Sequence, residues 1–242
     1  NALCKIYHTP KPQAEVVELP KVDEARIRKV IDNCENGYIG PDEIFELLDA
    51  AGIAQKQIRV VDQKQQALDF ANEVGYPLVM KVVGPLHKSD VGGVTLNVRD
   101  IETVDREFDR LMAIPETYAV EMYPMLDGTE VYIGAIRDDK FGHQVFFGLG
   151  GIFIEVLKDV QNAIAPITAC EAKDMLTKLR GYKILEGVRG QQPVNVDIYA
   201  EQVARVSALV MVAPEIAEMD LNPLLGNPKN VVAVDARIRI EK

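Results

Sequence analysis

A two-lobed α+β fold is what this sequence predicts. The order of its elements points there: helices and strands alternate through the first half, whereas the middle and end are rich in hairpins, unlike a doubly wound parallel sheet. Length agrees, because 242 residues exceed the roughly 100–200 of a common single domain. Composition agrees as well, since 48% hydrophobic and 26% charged residues make an ordinary globular chain, not a disordered one.

The elements follow in order. Residues 1–20 hold Pro10, Pro12 and Pro20 with little periodicity and read as a leader or linker. From Lys21 to Asn33, the residues Ala25, Ile27, Val30 and Ile31 approach helical spacing. A clear helix covers 41–51: Pro41 suits its first turn, Ile44, Leu47, Leu48 and Ala51 form one stripe, and Gly52 stops it. The next covers 63–74, with Asp62 as its expected N-cap, Gln65 three residues on, and Gly75 as its stop. Strand composition marks 77–83 and 94–98, and a helix over 101–114 is capped by Asp100. Strands are expected at 118–122, 129–137, 143–147 and 152–156, helices at 171–180 and 197–212, and final strands at 216–221 and 231–236. The lobes divide into a helical segment plus first lobe at 21–118 and a second lobe at 119–242.

Charge narrows the function. Lys plus Arg number 27 against 37 Asp plus Glu, a net charge of −10. Nucleic acid and acidic membrane surfaces call for a basic footprint, so neither is an expected partner. No apolar stretch approaches the roughly 20 residues of a membrane span, and no signal peptide is visible. Three widely spaced cysteines (Cys4, Cys34, Cys170) form neither a disulfide framework nor a zinc knuckle, which fits a reducing cytoplasm.

Four groups of residues have the chemistry for a site. The loop 84–93 (GPLHKSDVGG) combines His87, Lys88, Ser89, Gly92 and Gly93. Glycines let backbone N–H groups approach an anion and Lys supplies charge, so it reads as a phosphate cradle or a plain glycine turn. Lys81 lies in an apolar strand on the face of Val79 and Val83, where its ammonium needs a partner, a ligand or a path to water. Glu218, Asp220 and Asn222 alternate along one strand, and Asp235 lies on the next. Antiparallel pairing brings Asp235 near Asn222, which gives either oxygen ligands for Mg²⁺ or a polar face by a turn. Finally, GLGG at 148–151 lacks the rest of a dinucleotide fingerprint and reads as a turn between strands, with Glu130 in a strand upstream.

Together these segments resemble the ATP-grasp domain of the NDP-forming acyl-CoA synthetases, the acetate–CoA ligases that release ADP. The resemblance runs from about Cys34 to Ile240, through YPLVMKVVGPLHKSDVGGV (76–94), FGLGGIFIEVLKDV (147–160), LRGYKILEGVRG (179–190), EIAEMDLNPLL (215–225) and VVAVDARI (231–238). More distantly, LNPL and the later Asp resemble the β subunit of succinyl-CoA synthetase. The resemblance implies an ATP-grasp fold that clamps ATP or ADP between two α+β lobes. It assigns the adenine edge to the backbone of a hinge strand, Ala119, Val120, Glu121 and Met122. Lys81, with Lys88, Ser89, Gly92 and Gly93, is assigned to phosphate, and Glu130 to ribose. Asn222 and Asp235 are assigned to Mg²⁺ with Asp220 beside them, and His87 is the implied phosphoryl acceptor. The implied reaction interconverts acyl-CoA, ADP and phosphate with acid, CoA and ATP through a phosphohistidine.

Two departures go with it. The chain has no room for the CoA-binding and ligase parts, so CoA falls to an α subunit or to the rest of a fused chain, in an oligomeric full enzyme. Asn1 in place of Met and the Pro-rich leader lean towards an excised domain. After LKDV, Gln161-Asn162-Ala163 stands where the family often has an aromatic–Arg pair. That loss leaves a second reading, a catalytically silent nucleotide-binding regulatory module like the synthetase region of some protein acetyltransferases. Retention of His87, Asn222 and Asp235 argues for the enzyme.

Overall fold

A computed structural model describes residues 18–84, 92–151, 159–188 and 190–242. Two antiparallel sheets organise the chain. The larger has seven strands in the order β1 (Gly37–Tyr38), β11 (Ala236–Ile240), β9 (Ile216–Gly226), β6 (Thr129–Asp138), β7 (Gly142–Leu149) and β8 (Val160–Ile164), with β10 (Val231–Ala233) on β9. The smaller runs β2 (Arg59–Val61), β5 (Ala119–Pro124), β3 (Leu78–Val83), β4 (Val94–Val98). The expected α+β class is found.

Period-2 alternation explains the layering. In β3 and β5, Leu78, Met80, Val82, Val120 and Met122 are buried under α3 (Lys64–Val74) and α4 (Ile101–Met112), whose Phe70, Phe108 and Leu111 complete that core. Lys81, Glu121 and Tyr123 occupy the opposite face and stay partly exposed. In the large sheet, Ile133, Phe147, Met219, Leu221 and Ile238 face a core shared with α1 (Glu24–Asn33), α2 (Pro41–Ala50), α5 (Ala169–Leu176) and α7 (Val196–Val212). Glu218, Asp220 and Asn222 lie on the other face of β9.

This packing corrects the expected lobe boundaries. Ile27, Ile31, Leu47 and Leu48 belong to the core of the large sheet, so the segment from residue 21 does not go with the first lobe. Strand β5, which begins at Ala119, is central to the small sheet, so a division at 118 cuts that sheet apart. An amphipathic stripe shows that a face is buried but not against what.

Local signals fared better. Asp100 accepts a hydrogen bond from the Thr103 N–H, Pro41 opens α2, and Gly75 ends α3 with a left-handed φ of +77°. Asp62 is not the cap of α3; it sits in the bend after β2, and Gln63 takes the cap position without a side-chain bond. The helix expected at 171–180 begins earlier, because Thr168 and Glu171 form a capping box, and it stops at Leu176 before the short α6 (Tyr182–Leu185). Strand β8 was not expected. As an edge strand with Gln161 and Asn162 in its middle, it lacks the apolar run that betrays a central strand. The strand expected at 152–156 lies outside the described residues. Among the described residues no helix is long and apolar enough to cross a membrane.

Helix α7 is the pillar of the large core, and Tyr199 on it is fully buried. Its hydroxyl accepts from the Gly148 N–H (2.8 Å) and faces the carbonyls of Tyr132 and Gly148, both at 2.7 Å. Burial drives the Tyr199 pKa far upward, so it remains a neutral donor. Tyr199→Phe keeps the ring but leaves a buried N–H without its acceptor. Chemical denaturation is expected to show a loss of about 1–3 kcal/mol.

His143 gives a pH test. It is buried, with Nε2 2.7 Å from the Ile216 carbonyl, so Nε2 carries the proton and donates. Burial lowers its pKa, opposed by the Ile216 bond and reinforced by Arg137. The unfolded chain therefore binds a proton that the fold refuses. The contribution is fully present above about pH 6.5 and is lost as pH falls towards the depressed folded pKa, at no more than about 1.4 kcal/mol per pH unit. Thermal melts from pH 7.5 to 5 should show wild type losing more stability than His143→Gln.

Candidate nucleotide and metal site

On the open face of the small sheet, Lys81 and Glu121 are cross-strand neighbours, with Nζ 3.7 Å from Oε1. Glu121 answers the question of what an ammonium in this strand pairs with. At 31% and 21% exposed, both side chains remain accessible to solvent, and 3.7 Å leaves the ammonium able to bind another anion.

Lys56 joins the two sheets and carried no motif signal. The Lys56 N–H donates to the Ala233 carbonyl (2.9 Å), tying the chain to β10 just before it enters β2. Its Nζ sits 4.1 Å from the centre of the Tyr123 ring, a cation–π contact to the small sheet. Burial lowers its pKa; Glu121 opposes that, Lys81 adds to it, and Asp235 opposes it. One ammonium therefore senses carboxylates from both lobes.

On the large sheet, Asp220 lies opposite Arg237 and Glu218 opposite Arg239. The Asn222 N–H donates to the Asp235 carbonyl at 3.2 Å, which realises the pairing that alternation suggested. Asp235 is exposed between β10 and β11, one carboxylate oxygen accepting from the Ala236 N–H at 3.0 Å. Burial raises the Asp220 pKa; Arg237 opposes this, and Glu218 and Asp235 reinforce it. Burial likewise pushes the Tyr132 phenol up to about 12, helped by Asp220 and Glu218.

Glu130 packs at the GLGG turn. Its carbonyl accepts from the Gly150 N–H at 2.9 Å, and Gly151, with φ +57°, lies so close that a Cβ there would collide with the Glu130 carboxylate. The buried Asp159 carboxylate accepts from the N–H groups of Arg180 (3.0 Å) and Gly181 (2.6 Å), joining the motif ending in LKDV to the one beginning LRGY.

Gly92 and Gly93 form the foot of the glycine loop. The Gly93 carbonyl accepts from the Val82 N–H, and the Gly92 carbonyl from Arg110, which also holds Thr95 and Glu107. His87, Lys88 and Ser89 lie outside the described residues. The expected hinge, Ala119 to Met122, lies within β5. Val120, Glu121 and Met122 have partners on both β2 and β3, so their backbone is committed to the sheet; Tyr123 is the first position of β5 beyond the β2 pairing. Tyr123 keeps its β3 partner, Val79, so the strand remains paired on that side beyond the end of β2. Gln161 to Ala163 sit in β8, paired with β7 at Phe147, Phe146 and Val145.

A cleft of about 620 Å³ adjoins this site, with Lys56, Asp235 and Arg237 on its polar side and Ile44, Phe45 and Ile58 on its apolar side. As to metal, no group of three His, Cys, Asp or Glu among the described residues is spaced to cage an ion. Asn222 and Asp235 instead offer two hard oxygen donors, joined through their backbone. That set fits Mg²⁺, which keeps several waters and takes one or two protein oxygens together with substrate phosphates.

Comparison with known proteins identifies the family. The ATP-grasp domain family matches residues 29–240. The chain is 40% identical over 226 residues to the β subunit of the ADP-forming acetate–CoA ligase I of Pyrococcus furiosus, covering 88% of this chain and 97% of that subunit. It is 38% identical over 231 residues to the ADP-forming acetate–CoA ligase I of Archaeoglobus fulgidus, of which it spans 33%. Among solved structures, it superposes with a TM-score of 0.68 and 34% identity on the dinucleotide-forming acetyl-coenzyme A synthetase 1 of Ca. Korarchaeum cryptofilum. That match covers 90% of this chain and 100% of the other; the complex holds coenzyme A and Mg-AMPPCP, with a phosphohistidine segment pointing towards the nucleotide site. The chain therefore belongs to the ATP-grasp domain family, among the β subunits and β parts of the ADP-forming acyl-CoA synthetases.

Proposed function

We propose that this chain is the nucleotide-clamping part of an ADP-forming acyl-CoA synthetase, an acid–CoA ligase acting on acetate or a related carboxylic acid. It moves a phosphoryl group between Mg-ATP or ADP and histidine. The observation that supports this best is the meeting of two faces: Lys81 and Glu121 on the small sheet, Asp220, Asn222 and Asp235 on the large one, with Lys56 in the field of both.

Phosphoryl transfer asks for positioning and charge stabilisation more than covalent machinery. Lys81 meets phosphate oxygens from the first lobe, joined by Lys88, Ser89 and the amides of Gly92 and Gly93. The hinge strand, Val120, Glu121 and Met122, lies against the base, and Glu130 meets the ribose. Asn222 and Asp235 hold Mg²⁺, which when bound neutralises charge on the phosphates. Asp220 stands beside them on the same strand face and acts with His87 and Lys81 as a catalytic residue of the transfer. His87 offers a neutral ring nitrogen; as its lone pair forms the N–P bond, the bond between phosphorus and the bridging oxygen breaks and ADP leaves with that oxygen.

CoA and the acyl group fall to a partner, since relatives of this length are β subunits and other relatives are about three times longer. We place the CoA-binding and ligase chemistry in that α part, with a cytoplasmic, oligomeric enzyme as the working form. The named relatives are ligases, which favours the enzyme over the silent regulatory module. The test is reconstitution with such an α part, supplying acetyl-CoA, ADP and phosphate and following ATP. ATP formation that requires both parts is expected. Its absence, with nucleotide binding intact, would return the regulatory reading.

A further inference from the structure

We infer that Tyr132 is a positioning residue that fixes the Asp220 carboxylate in the clamp, and that Gly134 is glycine so that Tyr132 can do so. The inference rests on the proposed role of Asp220 in phosphoryl transfer. Tyr132, Gly134 and Ile136 follow one another on one face of β6. Gly134 pairs with Asp220 on β9, and Asp220 pairs in turn with Arg237 on β11, so the three positions stand side by side. The middle one carries the carboxylate, and one neighbour has no side chain.

Tyr132 fills that gap. A Cβ on Gly134 would collide with the Tyr132 phenol oxygen, so the ring lies along its own strand and sets its hydroxyl over Gly134, the register partner of Asp220. The pairing of β6 with β9 shifts register between Val131 and Ile133, which places Tyr132 at an irregularity of the sheet. Its backbone is held there from beneath, where the carbonyl faces the buried Tyr199 hydroxyl at 2.7 Å. That same hydroxyl bonds Gly148 at the start of the GLGG turn. One core tyrosine thus anchors a second, and the second presents a donor to the site.

The device answers a physical need. Asp220 is half-buried, with the like charges of Glu218 and Asp235 acting on it. A phenol can donate to such a carboxylate without bringing a competing charge. Arg237 lies on the opposite flank, so donor and cation bracket the carboxylate across the sheet.

The experiment compares wild type with Tyr132→Phe, Gly134→Ala, Asp220→Ala and the double variant Tyr132→Phe/Asp220→Ala. Phosphoryl transfer is measured with the α part, and ADP binding is measured calorimetrically with and without Mg²⁺. Tyr132→Phe should lower kcat about tenfold, in the range of lost outer-shell partners, with KM, melting temperature and Mg²⁺-free ADP affinity unchanged. Gly134→Ala, which displaces the ring, should show the same kcat loss. The double variant should be no slower than Asp220→Ala alone. Wild-type kcat in Tyr132→Phe, or multiplying losses in the double variant, overturns the inference while leaving the clamp intact. Should wild type itself transfer no phosphoryl group, or Asp220→Ala run at full rate, the functional reading falls and the inference with it. Gly134→Ala serves as support only where it folds; Tyr132→Phe decides alone.

Discussion

Asp235→Ala is expected to abolish the Mg²⁺ dependence of nucleotide binding and to lower phosphoryl transfer by more than about 100-fold, since even outer-shell partners of a metal cost 10–100-fold. The reason is arithmetical. The described residues offer this ion two paired oxygen donors, Asn222 and Asp235, and only the second carries charge. Deleting that carboxylate leaves an amide, which holds a hard dication poorly against its hydration shell. The fold should survive, because Asp235 is exposed, its carboxylate bonds only the adjacent Ala236 N–H among the described residues, and its backbone bond to Asn222 is kept in the variant. Calorimetry of ADP with and without Mg²⁺ checks this: wild type should gain affinity with the metal and the variant should not.

Lys81→Met is the second large effect. In the wild type, Lys81 and Glu121 face each other at 3.7 Å, and phosphate arriving between the lobes meets an ammonium with donors to spare. Methionine keeps the stem and its packing but removes the charge. A charge-assisted hydrogen bond contributes about 1.5–3 kcal/mol, so nucleotide affinity should fall about 10- to 100-fold. Part of that loss comes from Glu121, whose carboxylate then faces the phosphates without its cation. Lys81→Met/Glu121→Gln should therefore bind nucleotide more tightly than Lys81→Met alone. Equal affinity of the two variants would place Glu121 outside the electrostatics of the site.

Much of this fold could be read from local signals because those signals act locally. Pro41 and Gly52 bracket α2, Asp100 caps α4, and β4 spans the expected Val94–Val98, since caps, stops and alternation are properties of neighbouring residues. The Asn222–Asp235 pairing was legible for the same reason, as alternation plus one hairpin defines it. What escaped depends on contacts between distant segments. Nothing near Ile27 or Leu47 announces that they join the same core as Tyr199 and Ile238. Lys56 lies in an unremarkable AQKQ stretch and matters only because Tyr123 and Asp235 are brought to it. Tyr132 looked like one more β-type residue beside Glu130 until the bare Gly134 showed where its ring goes.

Phosphoryl transfer to histidine tests the proposed function most directly. The protein is mixed with the CoA-binding and ligase part, Mg²⁺ and ATP labelled on its γ-phosphate, and acid-labile, base-stable label on protein is followed. Label should appear on histidine in the wild type, fail to appear in Asp235→Ala, and fall sharply in His87→Ala. Nucleotide binding with no label on histidine, together with a His87→Ala variant indistinguishable from wild type, would contradict it.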